Sequence, residues 1–140
     1  MNFSILPLEG VGEIKFGMSP DDVRKHIGNR FRSFKRSPLD SFPSDYFEHI
    51  GTFFYYDSNG RLEAIEFAPP AQPTIEGVNL LGLSFEAAKK LLSNLDDQIG
   101  EETDSVIAYQ KGVSIWAPLA KDNPAAAVES VVAFRPGYYN

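Results

Sequence analysis

Few side chains in this sequence have a type and spacing suited to catalysis. Its 140 residues contain two histidines, His26 and His49, and neither sits in a metal-ligand spacing such as H-x-x-x-H with a nearby acid. Cysteine is absent, which excludes thiolate metal sites, disulfides and a cysteine nucleophile. The motifs of P-loop, dinucleotide-binding and G-x-S-x-G proteins do not occur. We therefore predict no metal and no cofactor.

Carboxylates are frequent, but their pattern does not indicate an acid–base pair. Glu63 and Glu66 lie in one predicted strand, where residues three positions apart point to opposite faces and do not meet at a substrate. A solvated or inter-strand role is the expectation for this pair. We therefore predict no catalytic residue, and we expect that the protein is not an enzyme.

Five acidic residues cluster around Gly100. The order of ligands that a calcium loop needs, including its closing glutamate, is absent from this segment. Two interpretations stay open: a solvated loop between a helix and a strand, or an electronegative patch that meets a basic partner. The candidate contact residues of such a patch are Asp96, Asp97, Glu101, Glu102 and Asp104.

Residues 39–48 combine three aromatic with three acidic side chains. Aromatic side chains next to carboxylates are typical of protein–protein hot spots that face a basic surface. The alternative is that Phe42, Phe47 and Tyr138 close the ends of a small core. The candidate partner-binding residues of this segment are Asp45, Tyr46, Phe47 and Glu48.

Basic residues concentrate in residues 24–36, which hold six of the 13 lysines and arginines and no acid. Phe31 and Phe34 interleave with them, and basic plus aromatic spacing can indicate a surface for single-stranded nucleic acid. A strand with one buried and one wet face gives the same alternation. Because the net charge of −6 repels phosphate, we do not expect a nucleic-acid partner.

The net negative charge lies in the second part of the chain. Residues 1–61 hold eight acids and eight bases, whereas residues 62–140 hold 11 acids and five bases. A basic protein partner is therefore expected to bind the second part. A hydrophobic share of 43% excludes disorder, and no apolar run reaches the ~18 residues of a membrane helix. Without a basic, apolar leader, the expected location is the cytoplasm.

Two similar segments predict helices. Residues 16–27 align with residues 81–92 at a constant offset of 65, and each reads apolar, glycine, apolar, serine, then acids and a basic pair. Ser19 and Ser84 are placed to cap the free amides of the first turn, and Pro20 suits the first helical position. The spacing of the apolar residues that follow is helical in both segments.

A hairpin is predicted after each helix. The first joins residues 52–56 to residues 61–67 through a turn that contains Asn59-Gly60, a pair that favours tight turns. The second joins residues 112–116 to residues 128–134 through a long surface loop.

Weaker patterns predict two further strands and a loop. Residues 30–35 and residues 105–110 alternate as strands do, which gives three strands after each helix. Residues 37–49, with two prolines, are predicted to form a long loop.

These correspondences predict an α+β fold, in which a tandem duplication forms two helix-plus-antiparallel-sheet repeats of one compact domain. The single domain spans residues 1–140. Repeat one covers about residues 11–68, a proline-rich connector covers residues 69–75, and repeat two covers about residues 76–137.

The first helix start resembles a known bacterial motif. Residues 14–28, with Gly17-Met18-Ser19 before the helix and Ile27-Gly28 at its end, are similar to helix starts in small bacterial domains. These include the β-lactamase inhibitory protein and the small outer-membrane assembly lipoproteins. The tandem arrangement resembles the former and implies its fold. The sequence departs from these relatives in having no secretion signal and no lipidated cysteine, which argues against a periplasmic role.

Four short segments resemble small cytoplasmic proteins of bacterial toxin–immunity loci: residues 16–19, 44–47, 54–57 and 62–67. The resemblance implies a non-catalytic, immunity-type inhibitor that neutralises a cognate toxin domain by binding it. The expected partner is therefore a protein, a basic toxin domain. The alternative is a small-molecule-binding or enzymatic α+β domain, with a pocket between helix and sheet in which polar side chains converge.

Overall fold

The structure is a computed structural model that describes residues 3–139. Two α-helices occur in this range, α1 (Pro20–Ile27) and α2 (Phe85–Leu95), with a 3₁₀ turn at Glu48–Ile50. The strands are β1 (Ile5–Leu6), β2 (Gly10–Val11), β3 (Ile14–Lys15), β4 (Arg32–Phe34), β5 (Ser44–Phe47), β6 (Thr52–Tyr56), β7 (Leu62–Phe67), β8 (Thr74–Ile75), β9 (Val78–Asn79), β10 (Ile99–Glu101), β11 (Ser105–Ala108), β12 (Val113–Trp116) and β13 (Ser130–Phe134).

Eight strands form one antiparallel sheet in the order β10-β11-β12-β13-β7-β6-β5-β4. Four of these strands follow α1 along the chain and four follow α2. The two groups meet where β7 pairs with β13, with Ile65 opposite Ala133 and Phe67 opposite Val131. The ladder therefore runs without a break from one edge of the sheet to the other. The remaining strands form two small sheets, β1-β2-β3 and β8-β9.

The core lies between one face of the large sheet and the two helices. Val23 of α1 and Phe85, Ala88 and Leu92 of α2 are buried in one apolar cluster with inward side chains of the strands. β1 and β2 contribute to the same cluster, and β2 contacts β13. Neither helix in residues 3–139 is long and apolar enough to cross a membrane.

Both helices begin where the sequence predicts. Ser19 Oγ accepts a hydrogen bond from the amide of Asp22 at 3.2 Å, and Ser84 Oγ accepts one from the amide of Ala87 at 3.1 Å. Pro20 is the first residue of α1. These bonds satisfy amides that have no partner within the helix. The predicted helix starts are confirmed.

The predicted tight turn between β6 and β7 is also confirmed. Asp57 Oδ1 accepts hydrogen bonds from the amides of Asn59 at 2.9 Å and Arg61 at 3.0 Å. Gly60 has a φ of +73°, which glycine adopts without steric cost. The second hairpin, β12 with β13, is present as well.

Two strands lie in segments that the sequence predicts to be loops. β5 occupies residues 44–47 within the predicted loop 37–49, and β10 occupies residues 99–101 within the acidic segment. β5 depends on distant neighbours, since it pairs with β4 and β6 and its Asp45 is neutralised by Arg24. Each helix is therefore followed by four strands rather than three.

The predicted α+β fold of two helix-plus-sheet repeats is wrong. The chain is dominated by antiparallel sheet, with 34% strand and 16% helix. Helices of 8 and 11 residues are about 12 and 17 Å long, whereas eight strands span about 34 Å, so the sheet exceeds its helical cover. Pairing of β7 with β13 also leaves no break in the sheet between the halves. The limits placed at residues 69–75 stay a prediction, and Thr74–Ile75 of that segment forms β8.

Candidate functional site

One face of the large sheet has no helix against it within residues 3–139. The buried side chains of both helices belong to the cluster on the other face, whereas the cluster on this face consists of strand residues and Tyr138. The register places one row of outward side chains across all eight strands. We call the surface formed by this row and its neighbours the open face. From β10 to β4, the row is Gly100, Ile107, Ser114, Val132, Glu66, Phe53, Tyr46 and Arg32.

Aromatic rings on the open face pack against one another. Tyr46 and Phe53 come from adjacent strands and stack with their ring centroids 4.2 Å apart. Phe34 meets Phe53 edge-on at 6.1 Å, and Tyr55 stacks with Phe53 at 6.2 Å along β6. Such pairs contribute about 0.5–1.5 kcal/mol beyond burial. Because Tyr46, Phe53 and Phe34 are half-buried, part of each ring remains available for contact.

Glu66 is the carboxylate at the centre of the open face. The Tyr55 hydroxyl donates a hydrogen bond to one of its oxygens, and the Ser130 hydroxyl donates to the other at 2.6 Å. Burial raises the pKa of Tyr55 well above its ordinary value, and its hydrogen bond to Glu66 raises it further. Tyr55 therefore stays a neutral donor at physiological pH and fixes the position of Glu66.

Glu63 joins the same network through a β-bulge. The register of β6 against β7 shifts after Tyr55, so Glu63 is an extra residue in its strand. Its carboxylate lies 3.1 Å from Arg135 and 3.8 Å from Arg36, and the Arg36 guanidinium lies 3.9 Å from the centre of the Tyr55 ring. Arg36 and Tyr55 thus connect Glu63 to Glu66, which the simple alternation of strand residues does not predict.

The carboxylates of this network are held in place by neighbouring donors. Both oxygens of Glu66 accept hydrogen bonds, and Glu63 has two guanidinium partners. In the part of the chain that the structure describes, no three histidine or acidic side chains group as metal ligands.

Trp116 lies at one end of the open face. Its side chain stands between Ser105 and Ser130 in the register, and 47% of the residue is exposed. A large aromatic residue flanked by two small serines is accessible from the side as well as from above. This geometry suits an anchor for a partner's side chain.

Segments that carry acidic residues are linked to the Trp116 strand by backbone hydrogen bonds. The amide of Glu129 donates to the Trp116 carbonyl at 2.8 Å. The amide of Ala117, which follows Trp116, donates to the Asp104 carbonyl at 2.8 Å. Glu102 is held to β11 by the bond from its amide to the Ser105 carbonyl at 2.9 Å. We call Trp116, Glu102, Asp104 and Glu129 the Trp116 patch.

Asp45, a predicted partner contact, is fully buried on the helix side of the sheet. Arg24 donates from Nε and Nη2 to its two oxygens, each at 2.9 Å. The hydroxyls of Ser33 and Tyr56 donate to it at 3.2 and 3.3 Å. These bonds offset the cost of removing the carboxylate from water. Asp45 therefore fastens α1 to β5 and lies out of reach of a partner in this fold.

The other residues of that segment divide between core and surface. Phe47 is fully buried, with its ring edge-on to Phe54 at 5.5 Å, as the core alternative expects. Tyr46 belongs to the open face. Glu48 is exposed, with its carboxylate 3.3 Å from Arg32. Tyr46 and Glu48 are thus the residues of this segment that a partner can reach.

Asp96 is likewise internal, with 3% of the residue exposed. Its carboxylate accepts hydrogen bonds from the amides of Gln98, Gln110 and Lys111 at 2.7, 2.8 and 2.9 Å. Asp96 therefore ties the end of α2 to the turn between β11 and β12. It contributes to the fold instead of to an exposed acidic patch.

Of the remaining four acids, Asp97, Glu101 and Glu102 are exposed and Asp104 is half-buried, and the four do not form one cluster. Glu101 faces the helix side, where its carboxylate lies 2.8 Å from Lys89 of α2. Asp97 is exposed. Glu102 and Asp104 belong to the Trp116 patch. Their partner-binding role stays a prediction, now attached to a defined aromatic neighbour.

Trp116 as a contact residue and the open-face network were not predicted from the sequence. The four consecutive aromatic residues of Thr52-Phe53-Phe54-Tyr55-Tyr56 could have predicted the aromatic surface. Successive residues of a strand point to opposite faces, so this strand places rings on both faces of the sheet. The bulge at Glu63 leaves no comparable pattern.

Comparisons with known proteins add no assignment for this fold. No protein-family model matches the chain, and neither a curated protein nor a solved structure matches it. The function is therefore inferred from the geometry of the open face.

Proposed function

We propose that this chain is a non-catalytic inhibitor that binds a basic partner protein on the open face. The observation that carries the proposal is a half-exposed Trp116 whose strand is bordered, through backbone hydrogen bonds, by three segments that each carry an acidic residue, on a sheet face that no helix covers within residues 3–139. Tryptophan and tyrosine dominate binding hot spots because they offer large contact areas with few rotatable bonds. Trp116 is the anchor, and the Tyr46–Phe53 stack, three and four strands away on the same face, is a second contact region.

The distribution of charge supports a basic partner. Residues 62–140 hold 11 acids and five bases, and the Trp116 patch lies in that part of the chain. A lysine or arginine of the partner gains a cation–π contact with the indole ring and ion pairs with the neighbouring carboxylates. The net charge of −6 also accelerates the encounter with a basic protein.

The resemblance to immunity proteins supports a specific kind of partner. In this proposal the partner is a basic bacterial toxin domain, and the chain binds it in the cytoplasm before it acts. Inhibition then requires only occupation of the toxin's working surface, which agrees with a network that holds carboxylates in fixed positions.

The test pairs the chain with the proteins that its neighbouring genes encode. Co-expression restores growth of cells that produce the cognate toxin, and calorimetry measures the complex. Trp116→Ala weakens the complex about 30-fold or more, since hot-spot truncation costs about 2 kcal/mol or above, and protection falls accordingly. Higher ionic strength slows association.

Leu39→Ala is the matched control. Leu39 is 92% exposed and lies between β4 and β5, at the opposite edge of the sheet from β10. This variant retains the affinity of the unaltered chain. An equal loss in both variants, or neither binding nor protection with any neighbouring gene product, contradicts the proposal.

A further inference from the structure

A cavity of about 280 Å³ lies on the helix side of the sheet, opposite the open face. It is enclosed by the hairpin of β2 and β3, by α1, and by inward side chains of β6 and β7. Phe54, Ile65 and Phe67 of this enclosure are at most 1% exposed. The apolar walls are formed by Phe3, Val11, Ile14, Phe54, Ile65 and Phe67.

Two polar side chains complete the lining. Glu13 lies between β2 and β3, and His26 lies near the end of α1, with His26 Nδ1 3.7 Å from Glu13 Oε2. The Glu13 side chain is 89% exposed and that of His26 is 37% exposed. The pair therefore stands at the opening of the cavity, while the apolar residues form its floor.

Close packing makes this space unusual. Protein interiors contain few voids larger than a water molecule, and a water held in a cavity needs two to four polar partners. Apolar walls do not supply them. An engineered apolar cavity of about 150 Å³ binds benzene, so a cavity of about 280 Å³ suits a molecule with one or two fused rings.

We propose that the cavity binds a small aromatic amine, with its ring against the apolar walls and its ammonium group at Glu13. A carboxylate only accepts hydrogen bonds, so it favours a donating, positively charged end. The net charge of −6 disfavours an anionic ligand. His26 stands beside Glu13 at the same opening. This site is independent of the protein-binding proposal because it opens on the other face.

Three indole compounds test the proposal on the full chain. Tryptamine, 3-methylindole and indole-3-acetate share one ring system and end in a cationic, a neutral and an anionic group. Calorimetry at neutral pH is expected to show tryptamine binding about two- to fivefold tighter than 3-methylindole, the range of a solvent-exposed ion pair, with indole-3-acetate the weakest. Glu13→Gln brings tryptamine to the affinity of 3-methylindole and leaves 3-methylindole unchanged.

Glu9→Gln provides the matched control for charge. Glu9 is exposed in the turn between β1 and β2, and it does not line the cavity. The variant changes the net charge equally and keeps the affinity for tryptamine. Ile14→Phe fills the cavity and abolishes binding of all three compounds, with circular dichroism as the check on folding. Val11→Leu, a smaller change, weakens binding without threatening the fold.

Several results would overturn the proposal. If tryptamine binds no more tightly than indole-3-acetate, Glu13 does not select a cationic ligand. If Glu9→Gln and Glu13→Gln lose affinity for tryptamine equally, the attraction comes from the net charge of the surface. If Trp116→Ala loses affinity, the amine binds on the open face. Binding that appears only when Met1 and Asn2 are replaced by Gly-Ser makes the chain's own N-terminus the occupant. Failure of the toxin experiment leaves all of these outcomes unaffected.

Discussion

The buried and half-buried carboxylates of this protein accept hydrogen bonds from residues in distant parts of the chain. Asp45 receives bonds from α1, β4 and β6, and Glu66 receives bonds from β6 and β13. Within the described residues, no buried side-chain nitrogen or oxygen lacks a partner. A buried charge is tolerated only when hydrogen bonds and an opposite charge replace the water it has lost. Removing one of these partners therefore lowers the free energy of unfolding.

Asp45→Asn is predicted to destabilise the fold by about 2–4 kcal/mol. The change removes the charge that Arg24 faces and points an amide at a guanidinium. Breaking a buried pair costs about 3–5 kcal/mol, and the range is lowered here because the Arg24 side chain is 26% exposed. Urea unfolding measures the difference.

Asp97→Asn serves as the control for this prediction, since Asp97 is an exposed acid with the same side chain. It changes the free energy of unfolding by no more than about 0.5 kcal/mol. Equal effects of the two substitutions would mean that net charge, and not the Arg24 pair, sets the loss.

At the scale of elements, local signals predicted local structure. The two helix starts and the Asn59-Gly60 turn depend on residues within four positions of one another, and all three formed as expected. β5 is stabilised by pairing on both sides and by Arg24 of α1, which is 21 residues away, whereas β10 forms a hairpin with β11 although its Ile-Gly-Glu sequence has no strand alternation; both strands owe their formation to strand pairing. The Glu63 bulge has the same origin in strand pairing.

The candidate site was predicted in part for the same reason. Acidic and aromatic composition pointed to Tyr46, Glu48, Glu102 and Asp104, which are at or near the surface. It also pointed to Asp45, which is buried because Arg24 lies beside it in the fold. Composition identifies residue types, whereas the inward or outward direction of each side chain depends on register.

Ser84→Ala is predicted to lower the free energy of unfolding by about 1 kcal/mol. The substitution removes the oxygen that accepts from the amide of Ala87 and leaves that amide without its capping bond. Ser93→Ala, at an exposed position of α2, is expected to change stability by no more than about 0.5 kcal/mol. Thermal unfolding of both variants separates the cap from general helix propensity; a similar effect at both positions would refute the capping role.

At the scale of the whole molecule, the sheet separates two surfaces of different chemistry. The open face carries aromatic rings with fixed carboxylates, and the helix face carries the core and an apolar cavity. Both surfaces depend on one continuous ladder. The pairing of β7 with β13 is the point where this dependence can be tested, because it joins strands that are 64 or more residues apart.

We predict that neither half of the chain folds alone. A fragment of residues 1–72 loses the partner of β7 and exposes Ile65 and Phe67, while a fragment of residues 73–140 exposes Val131 and Ala133, all four of which are buried in the intact protein. Each fragment then presents a long apolar edge strand, which favours aggregation over folding. Mixing the fragments restores the ladder, the β-sheet circular dichroism signal and a single species of 15.5 kDa in size-exclusion chromatography. A cooperative thermal transition in either fragment by itself would show that the pairing of β7 with β13 is dispensable. The sheet would then consist of two independent units placed side by side.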